Sequence, residues 1–552
     1  MKGNSIILVV LIVISLFALF TACNDNEEPY ISTTGSTDVV IAVQKKVVSG
    51  ILTGEDLHWT EEMSPYLVVG NILVEDDKTL TIDAGVDVQF AGAYYIQVEG
   101  VLSAIGTNEK KISFYGIDEG ENAWQGIKGV YKNASSIKYS NISGISGGLQ
   151  GYLDISDSQI TASSSGYALG GTTALTGSVT NSTASGRIKV SSSIILSSEI
   201  TVVGSNGWNN ENSITSSQVK DSTFDGSALF ISDTTLADDT LSSLALELSK
   251  ISAVNSTISK CALTIESGMI YKSVLDSCTF SSFSYGTIRD SNIINCGKLT
   301  LATQRNNIKQ VLLRNNYWGI NNTAELNASG VNSNLSFIGD YYDDFNVSKA
   351  DLSGYKTTAI ADAGYAAIEP TVAQYAIGDT GPAGGIVFYD KGYYSDGWRY
   401  LEAAPSDFEG YMIFGYYKES DDGNIIRSGT AYGIGFGKLN TEILVGDMGD
   451  AAYTSRDGTT KTEYYAARLC DTYTYGGYSD WFLPSRDELN LMYLNLHKAN
   501  LGGFANGIFW WSSSEDERYA NIAWRQSFHN GSQSNYDVER DWDYRVRAVR
   551  AF

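Results

Sequence analysis

Cys261, Cys278 and Cys296 recur at intervals of 17 residues (261 to 278) and 18 residues (278 to 296). Thiols so placed can ligate a metal, join in a disulfide or pack as small apolar groups. Zinc takes four ligands, usually in closely spaced pairs, and His58, His497 and His529, the histidines of this chain, all lie far from the three thiols. A disulfide between neighbouring units would leave one thiol unpaired. A column of small core residues is therefore the expected role. A second grouping, Asp221, Asp225, Asp233, Asp238 and Asp239, is of the kind from which a polysaccharide lyase or hydrolase draws calcium ligands or an acid–base pair. Lys220 is the nearest cation and Lys250 the next, and a turn or a cap accounts for each aspartate. Cleavage of polysaccharide in a lateral groove is thus the alternative function. Gly144-Ile145-Ser146-Gly147-Gly148 fits G-x-S-x-G, but a nucleophile elbow needs a strand before it and a helix after it. Ser/Gly-rich text surrounds the match, so it reads as a turn. No catalytic residue, metal or cofactor is expected.

Cys23 offers another chemistry. Met1 and Lys2 form a short basic start, Ile6 to Phe20 an apolar run too short for a comfortable membrane span, and Thr21-Ala22-Cys23 a small-residue end. That order is a secretory signal. Leu19-Phe20-Thr21-Ala22-Cys23 resembles the lipobox of bacterial lipoproteins. The resemblance implies removal of residues 1–22 as a signal peptide and lipidation of Cys23, with residues 23–37 as a flexible tether. Acyl chains on Cys23 would hold the protein in a bilayer leaflet without a transmembrane helix. Asn24-Asp25-Asn26-Glu27-Glu28 is similar to acidic export tags that send some lipoproteins outward. The implied location is the bacterial envelope, as a surface-exposed outer-membrane lipoprotein.

The chain's 552 residues exceed what one core accommodates, so two or more domains are expected. The formal charge of −25 repels nucleic acid and anionic lipid surfaces, which excludes nucleic-acid partners. With 55 glycines, six prolines and 35 tyrosines, the composition suits many short strands joined by tight turns.

The elements that carry these residues show themselves by repetition. From about Asp38 to Phe345 the text is rich in Ser, Thr, Asn, Gly, Ile, Val and Leu, and one phrase returns: Asp157-Ser158-Gln159-Ile160, Asp221-Ser222-Thr223-Phe224, Asp233-Thr234-Thr235-Leu236, Asn255-Ser256-Thr257-Ile258, Lys272-Ser273-Val274-Leu275, Asp290-Ser291-Asn292-Ile293. Units of this length cannot close a core alone, and stacked into a parallel solenoid each coil buries its inward residues on the next. Residues 38–345 are predicted to form a parallel β-helix. Leu80 to Phe90, Val98 to Thr107 and Trp124-Gln125-Gly126-Ile127 resemble the opening coils of bacterial right-handed parallel β-helix repeat proteins, and Asn315-Asn316-Tyr317-Trp318-Gly319 resembles their closing phrase.

Residues 346–372, acidic and Ala-rich with Pro370, read as a linker. From 373 to 552 aromatics multiply. Ser485 and Glu488 form an S-x-x-E capping box after Pro484. Leu489, Met492, Tyr493 and Leu496 make one apolar stripe, and Gly502-Gly503 supply a stop. With short aromatic strands and a closing strand over Arg545 to Arg550, an α+β domain is predicted. Gly381-Pro382-Ala383-Gly384-Gly385, Gly397 to Pro405, Asp480-Trp481-Phe482-Leu483-Pro484-Ser485, Trp511-Ser512-Ser513-Ser514-Glu515 and Val546 to Arg550 resemble the DUF1566 family, also called the Lcl C-terminal domain. The resemblance implies a fold related to C-type lectins and formylglycine-generating enzymes, and a role in adhesion or glycan binding. The paired cysteines of the enzyme branch are missing, since Cys470 stands alone. Trp511, Tyr519, Trp524, Trp542, Asp543 and Arg545 are the ligand candidates, because aromatic faces stack on sugar rings while carboxylates and guanidinium groups bond hydroxyls. The whole reads as a lipid-anchored surface protein whose β-helix stalk presents an adhesion or glycan-binding domain to a glycan or a host or matrix ligand; a non-catalytic envelope scaffold is a further alternative.

Overall fold

The computed structural model describes residues 45–117, 123–129, 135–204, 212–303, 310–364, 374–395, 397–415, 428–449, 453–454, 461–462, 464–505, 507–519, 521–535 and 539–552. Cys23, the signal, the tether and residues 38–44 lie outside them. The chain is mainly β, and its first part is a parallel β-solenoid of about 12 turns.

A two-residue corner generates the coil. Asp157, Asn181, Ser197, Asp221, Asp238, Asn255, Lys272 and Asp290 each adopt a left-handed backbone with φ between 46° and 57°, a conformation that Asn and Asp tolerate best among residues with a Cβ. The residue after each turns inward. Ser158, Ser182, Ser198, Ser222, Asp239, Ser256, Ser273 and Ser291 are all buried. The amide of each donates to the side chain one coil ahead, from Ser158 N to Ser182 Oγ at 3.1 Å through Ser291 N to Asn316 Oδ1 at 3.0 Å. Most of these hydroxyls donate back to the carbonyl two residues earlier, as Ser222 does to Lys220 at 2.8 Å. The ladder satisfies buried backbone amides that a sharp bend removes from strand pairing. The recurring sequence phrase is this corner followed by its strand, except that Asp233-Thr234 makes the same turn at another corner of the coil.

Three strand ladders run along the coils. In the later turns the first contains Thr223–Gly226, Thr240–Ser242, Thr257–Ser259, Val274–Asp276 and Asn292–Ile294. The second contains Ala228–Ser232, Ala245–Ser249, Ala262–Ile265 and Thr279–Phe283. The third contains Gln218–Lys220, Thr235–Ala237, Ile251–Val254, Gly268–Tyr271 and Thr287–Arg289. In the third ladder Val219, Leu236, Ala253, Ile270 and Ile288 stack in register and are buried, so each coil closes the core of its neighbour.

The three spaced cysteines follow the left-handed residues Lys260, Ser277 and Asn295 at another corner, one coil beyond Leu244, which follows Ser243. Cys261 and Cys278 are buried, Cys296 partly so, and all are free thiols. Cys278 Sγ donates to Ile258 O at 3.3 Å and Asp276 O at 3.5 Å, the bond to the second preceding carbonyl that serine makes at the other corner. Burial pushes the Cys261 thiol up to about 11, which makes it a poor nucleophile.

Aromatic plates seal the ends. Trp59 stacks on Tyr66 at 4.8 Å and Trp124 on Phe90 at 4.2 Å in the early coils. Asn316 ends the polar ladder, Trp318 packs on Phe337 at 5.2 Å, and helix α1, Gly319–Ser329, buries Leu326 on the last coils. Residues beyond 345, expected as linker, continue this end: Lys349–Asp351 pairs in parallel with Gln310–Leu312, and Asp362 bonds Lys272 at 2.9 Å.

The C-terminal region is α+β. Ile386–Ser395, Trp398–Ala403 and Val549–Ala551 form one antiparallel sheet, and Phe509–Glu515, Ala523–Ser527 and Gln533–Ser534 another. Helices α2 (Gly437–Met448), α3 (Ala466–Asp471) and α4 (Arg486–Asn495) accompany them. Ser485 and Glu488 make the expected capping box, and Leu489, Met492 and Leu496 are buried. The stop differs from expectation. A 3-10 turn at His497–Ala499 follows α4, and Asn500 with φ 58° reverses the chain before Gly502 is reached. The closing strand is also shorter, with regular pairing only over Val549–Ala551.

Residues 45–552 are one compact unit, because the C-terminal region packs along the outer face of the third ladder instead of standing beyond the last coil. Met269 points outward from that ladder and is buried against Ala431, Phe436 and Ile443. Arg486 pairs with Asp233 at 2.5 Å, Arg518 with Glu266 at 3.1 Å and Arg314 with Asp447 at 3.2 Å. Gly433 N donates to Ser252 Oγ at 3.0 Å, and a Cβ on Gly433 would come within 2.6 Å of Thr235 Oγ1, so glycine permits the approach.

Candidate functional site

Buried carboxylates build the frame of the C-terminal domain. Glu402, wholly buried, accepts from the amides of Ala383 at 3.2 Å and Gly385 at 3.0 Å and from Arg550 at 3.0 Å. A Cβ on Gly381 or Gly385 would meet its Oε2 at 2.5 or 2.8 Å, which explains the glycines of the Gly381-Pro382-Ala383-Gly384-Gly385 run. Glu515 accepts from Ser428 at 3.0 Å and Gly429 at 2.7 Å and pairs with buried Arg540. Glu488 accepts from Ser485, Gly435 and Gly437, yet burial still pushes its carboxyl up to about 7. Each of these acids is held by backbone amides.

Those supports bring Met412–Ile413 against Asp543–Tyr544, with Met412 opposite Tyr544 and Ile413 opposite Asp543. The pairing assembles an exposed face. Trp542 is 44% and Tyr411 51% exposed. The Arg525 guanidinium lies 3.9 Å from the Phe509 ring centroid, 4.7 Å from that of Tyr544 and 5.8 Å from that of Trp542. Arg545 lies 4.9 Å from the Tyr411 ring. Asp543 is exposed, and partial burial with Asp541 nearby raises its carboxyl above the ordinary range.

Of the six ligand candidates, Trp542, Asp543 and Arg545 belong to this strand pair: Trp542 lies beside Arg525 and Tyr544, while Asp543 and Arg545 alternate with them along the chain and Arg545 lies beside Tyr411. Trp511 does not: it is fully buried beneath it, donates Nε1–H to Met412 O at 2.8 Å and meets Tyr544 edge-on at 4.7 Å. Packing the sheet onto its core claims that indole. Trp524 neighbours Arg525 on one strand and so points to the opposite side of the sheet, where it meets Tyr432 at 5.8 Å and Arg486 at 5.2 Å. Tyr519 is exposed on a turn whose amides bond Asp516. Tyr411 and Arg525 were missed. Arg525 borders a chosen tryptophan, but nothing local marks Tyr411, whose partner Arg545 comes 134 residues later in the chain (545 − 411).

Three aspartates of the enzymatic alternative, Asp221, Asp233 and Asp239, have structural roles. Asp221 and Asp233 are left-handed corner residues, and Asp233 pairs with Arg486. Asp239 takes a serine's place in the polar ladder, accepting from Ser222 N at 2.9 Å and Ala237 N at 3.0 Å, and burial raises its carboxyl well above the usual range. Ser146 of the G-x-S-x-G match lies in the strand Ser140–Ser156 and donates to Trp124 O at 3.0 Å. Among the described residues no cluster of His, Cys, Asp or Glu is arranged to hold a metal ion, and no helix is long and apolar enough to cross a membrane.

No family model matches the chain, and neither a curated protein nor a solved structure matches it significantly.

Proposed function

We propose that this chain is a lipid-anchored protein of the bacterial envelope that binds carbohydrate or a matrix ligand through the exposed face of its C-terminal domain. The exposed rings of Trp542 and Tyr411, each beside a guanidinium group, Arg525 and Arg545 respectively, carry this reading. An exposed aromatic ring beside a guanidinium group matches what a sugar offers, apolar C–H faces edged by hydroxyls. Rings held over guanidinium groups are already oriented, so little rotamer entropy is lost on binding. The resemblance to the DUF1566 family and the lipobox-like Leu19–Cys23 segment support the same reading from sequence. The solenoid then acts as a rigid backing along whose flank the binding domain lies.

The test uses the full mature chain on a glycan array and on immobilised matrix proteins, beside a Tyr411→Ala/Trp542→Ala variant. Binding by the parent chain and at least a tenfold loss in the variant, at unchanged melting temperature, is the expected result. Failure of the parent chain to bind, or equal binding by the variant, would refute it. Cys23→Ser is expected to shift the protein from the detergent phase to the aqueous phase on phase partitioning.

A further inference from the structure

The third ladder is only partly covered, and the uncovered edge is apolar. Ile194, Gln218, Thr235, Ser252 and Met269 occupy one outward row on successive coils. Met269 and Ser252 are buried under the C-terminal domain, and Gln218 accepts from Tyr389 Oη at 3.0 Å. Ile194 is 51% exposed. Between the two bodies at this edge lies a cleft of about 530 Å³, within the range of small-ligand sites.

Ile194, Leu196 and Tyr271 of the solenoid face Trp398, Phe436 and Leu439 of the C-terminal domain across it. A Cβ on Gly435, where φ is +90°, would lie 3.0 Å from Trp398 Cζ2, so a glycine keeps the space beside that indole open. Lys220, Lys272, Lys391 and Lys438 also line the cleft, with Asp362, Asp390 and Glu442, a small excess of ammonium groups in a chain of net charge −25. Lys220 lies 3.2 Å from Asp221, Lys272 bonds Asp362 and Lys391 sits 3.8 Å from the Trp398 centroid. Lys438, exposed on α2, forms no ion pair among the described residues. Glu442, one turn further along α2, and Gln218 present polar atoms to the same space.

We infer that this cleft binds a short oligosaccharide bearing a carboxylate, at a site separate from the exposed aromatic face. The ring faces of the sugar rest on the apolar and aromatic walls, its hydroxyls meet Gln218 and Glu442, and its carboxylate meets Lys438. A long polyanion is disfavoured, because the net charge of the protein repels it beyond the reach of the local lysines. The inference does not depend on whether the exposed face binds sugar.

Calorimetric titration of the full mature chain with trigalacturonate and with neutral maltotriose tests it. Trigalacturonate is expected to bind at least tenfold more tightly than maltotriose. Lys438→Glu, on an exposed helix position, and Ile194→Trp, which fills the open edge, are each expected to weaken trigalacturonate at least tenfold with melting temperature unchanged. Tyr411→Ala/Trp542→Ala is expected to leave that binding intact. No binding of trigalacturonate, equal binding of both sugars, or indifference to both cleft variants overturns the inference. So does loss of binding in the Tyr411/Trp542 variant, which places the sugar on the exposed face.

Discussion

Glu488 shows how one residue can serve two ends at a cost that depends on pH. Its carboxylate closes the cap of α4 and accepts from Gly435 and Gly437, while burial lifts its pKa from 4.5 to about 7. The folded chain therefore holds this proton more tightly than the unfolded chain. The stability it contributes is complete below about 4.5 and is lost as pH rises through 7, a swing on the order of 3 kcal/mol. Glu488→Gln is expected to be less stable than the parent at pH 5, since its amide nitrogen would face N–H donors. It is also expected to lose most of the decline between pH 5 and pH 8. Urea unfolding across that range reads both effects, and an unaltered slope in the variant would contradict the assignment. The cap itself was legible, because S-x-x-E is a local pattern. The charge state was not, because it depends on Gly435 and Gly437, about 50 residues earlier in the chain.

At the scale of the elements, the solenoid is a repeated corner more than a repeated strand. Its polar ladder is serine at most positions, and Asp239 is the exception with a buried carboxyl. Serine there would accept from Ser222 N and donate to the Ala237 carbonyl, as its neighbours do. Asp239→Ser is expected to raise stability at pH 7 by about 1 kcal/mol and to flatten the loss of stability above the ordinary carboxylate range. Thermal unfolding at two pH values checks this, and a destabilised variant at pH 7 would show that the carboxylate is needed. The corner phrase was readable because every coil repeats it. The end of α4 differs from the expected stop, because a 3-10 turn and the left-handed Asn500 come before Gly502 and Gly503, which are left-handed as well.

For the whole molecule, the decisive feature is the docking of the C-terminal domain on the third ladder. Met269 contributes nothing to the solenoid interior, so Met269→Glu should leave the coils intact while placing an unpaired charge in the docked interface. The expected loss of docking free energy is about 3 kcal/mol, visible as a larger radius of gyration by X-ray scattering and faster proteolysis between residues 346 and 373. A scattering profile identical to the parent would mean that the polar contacts, Arg486 with Asp233 among them, suffice alone. The coil, its inward residues, its corner, the column of thiols and the capped helix are legible in the chain, because each is written in neighbours a few residues apart or in a regular repeat. Which tryptophans stay exposed, where the second body rests and what cleft lies between them are settled by packing alone. Those outcomes come from side chains more than a hundred residues apart competing for the same surface, and no local pattern records who wins.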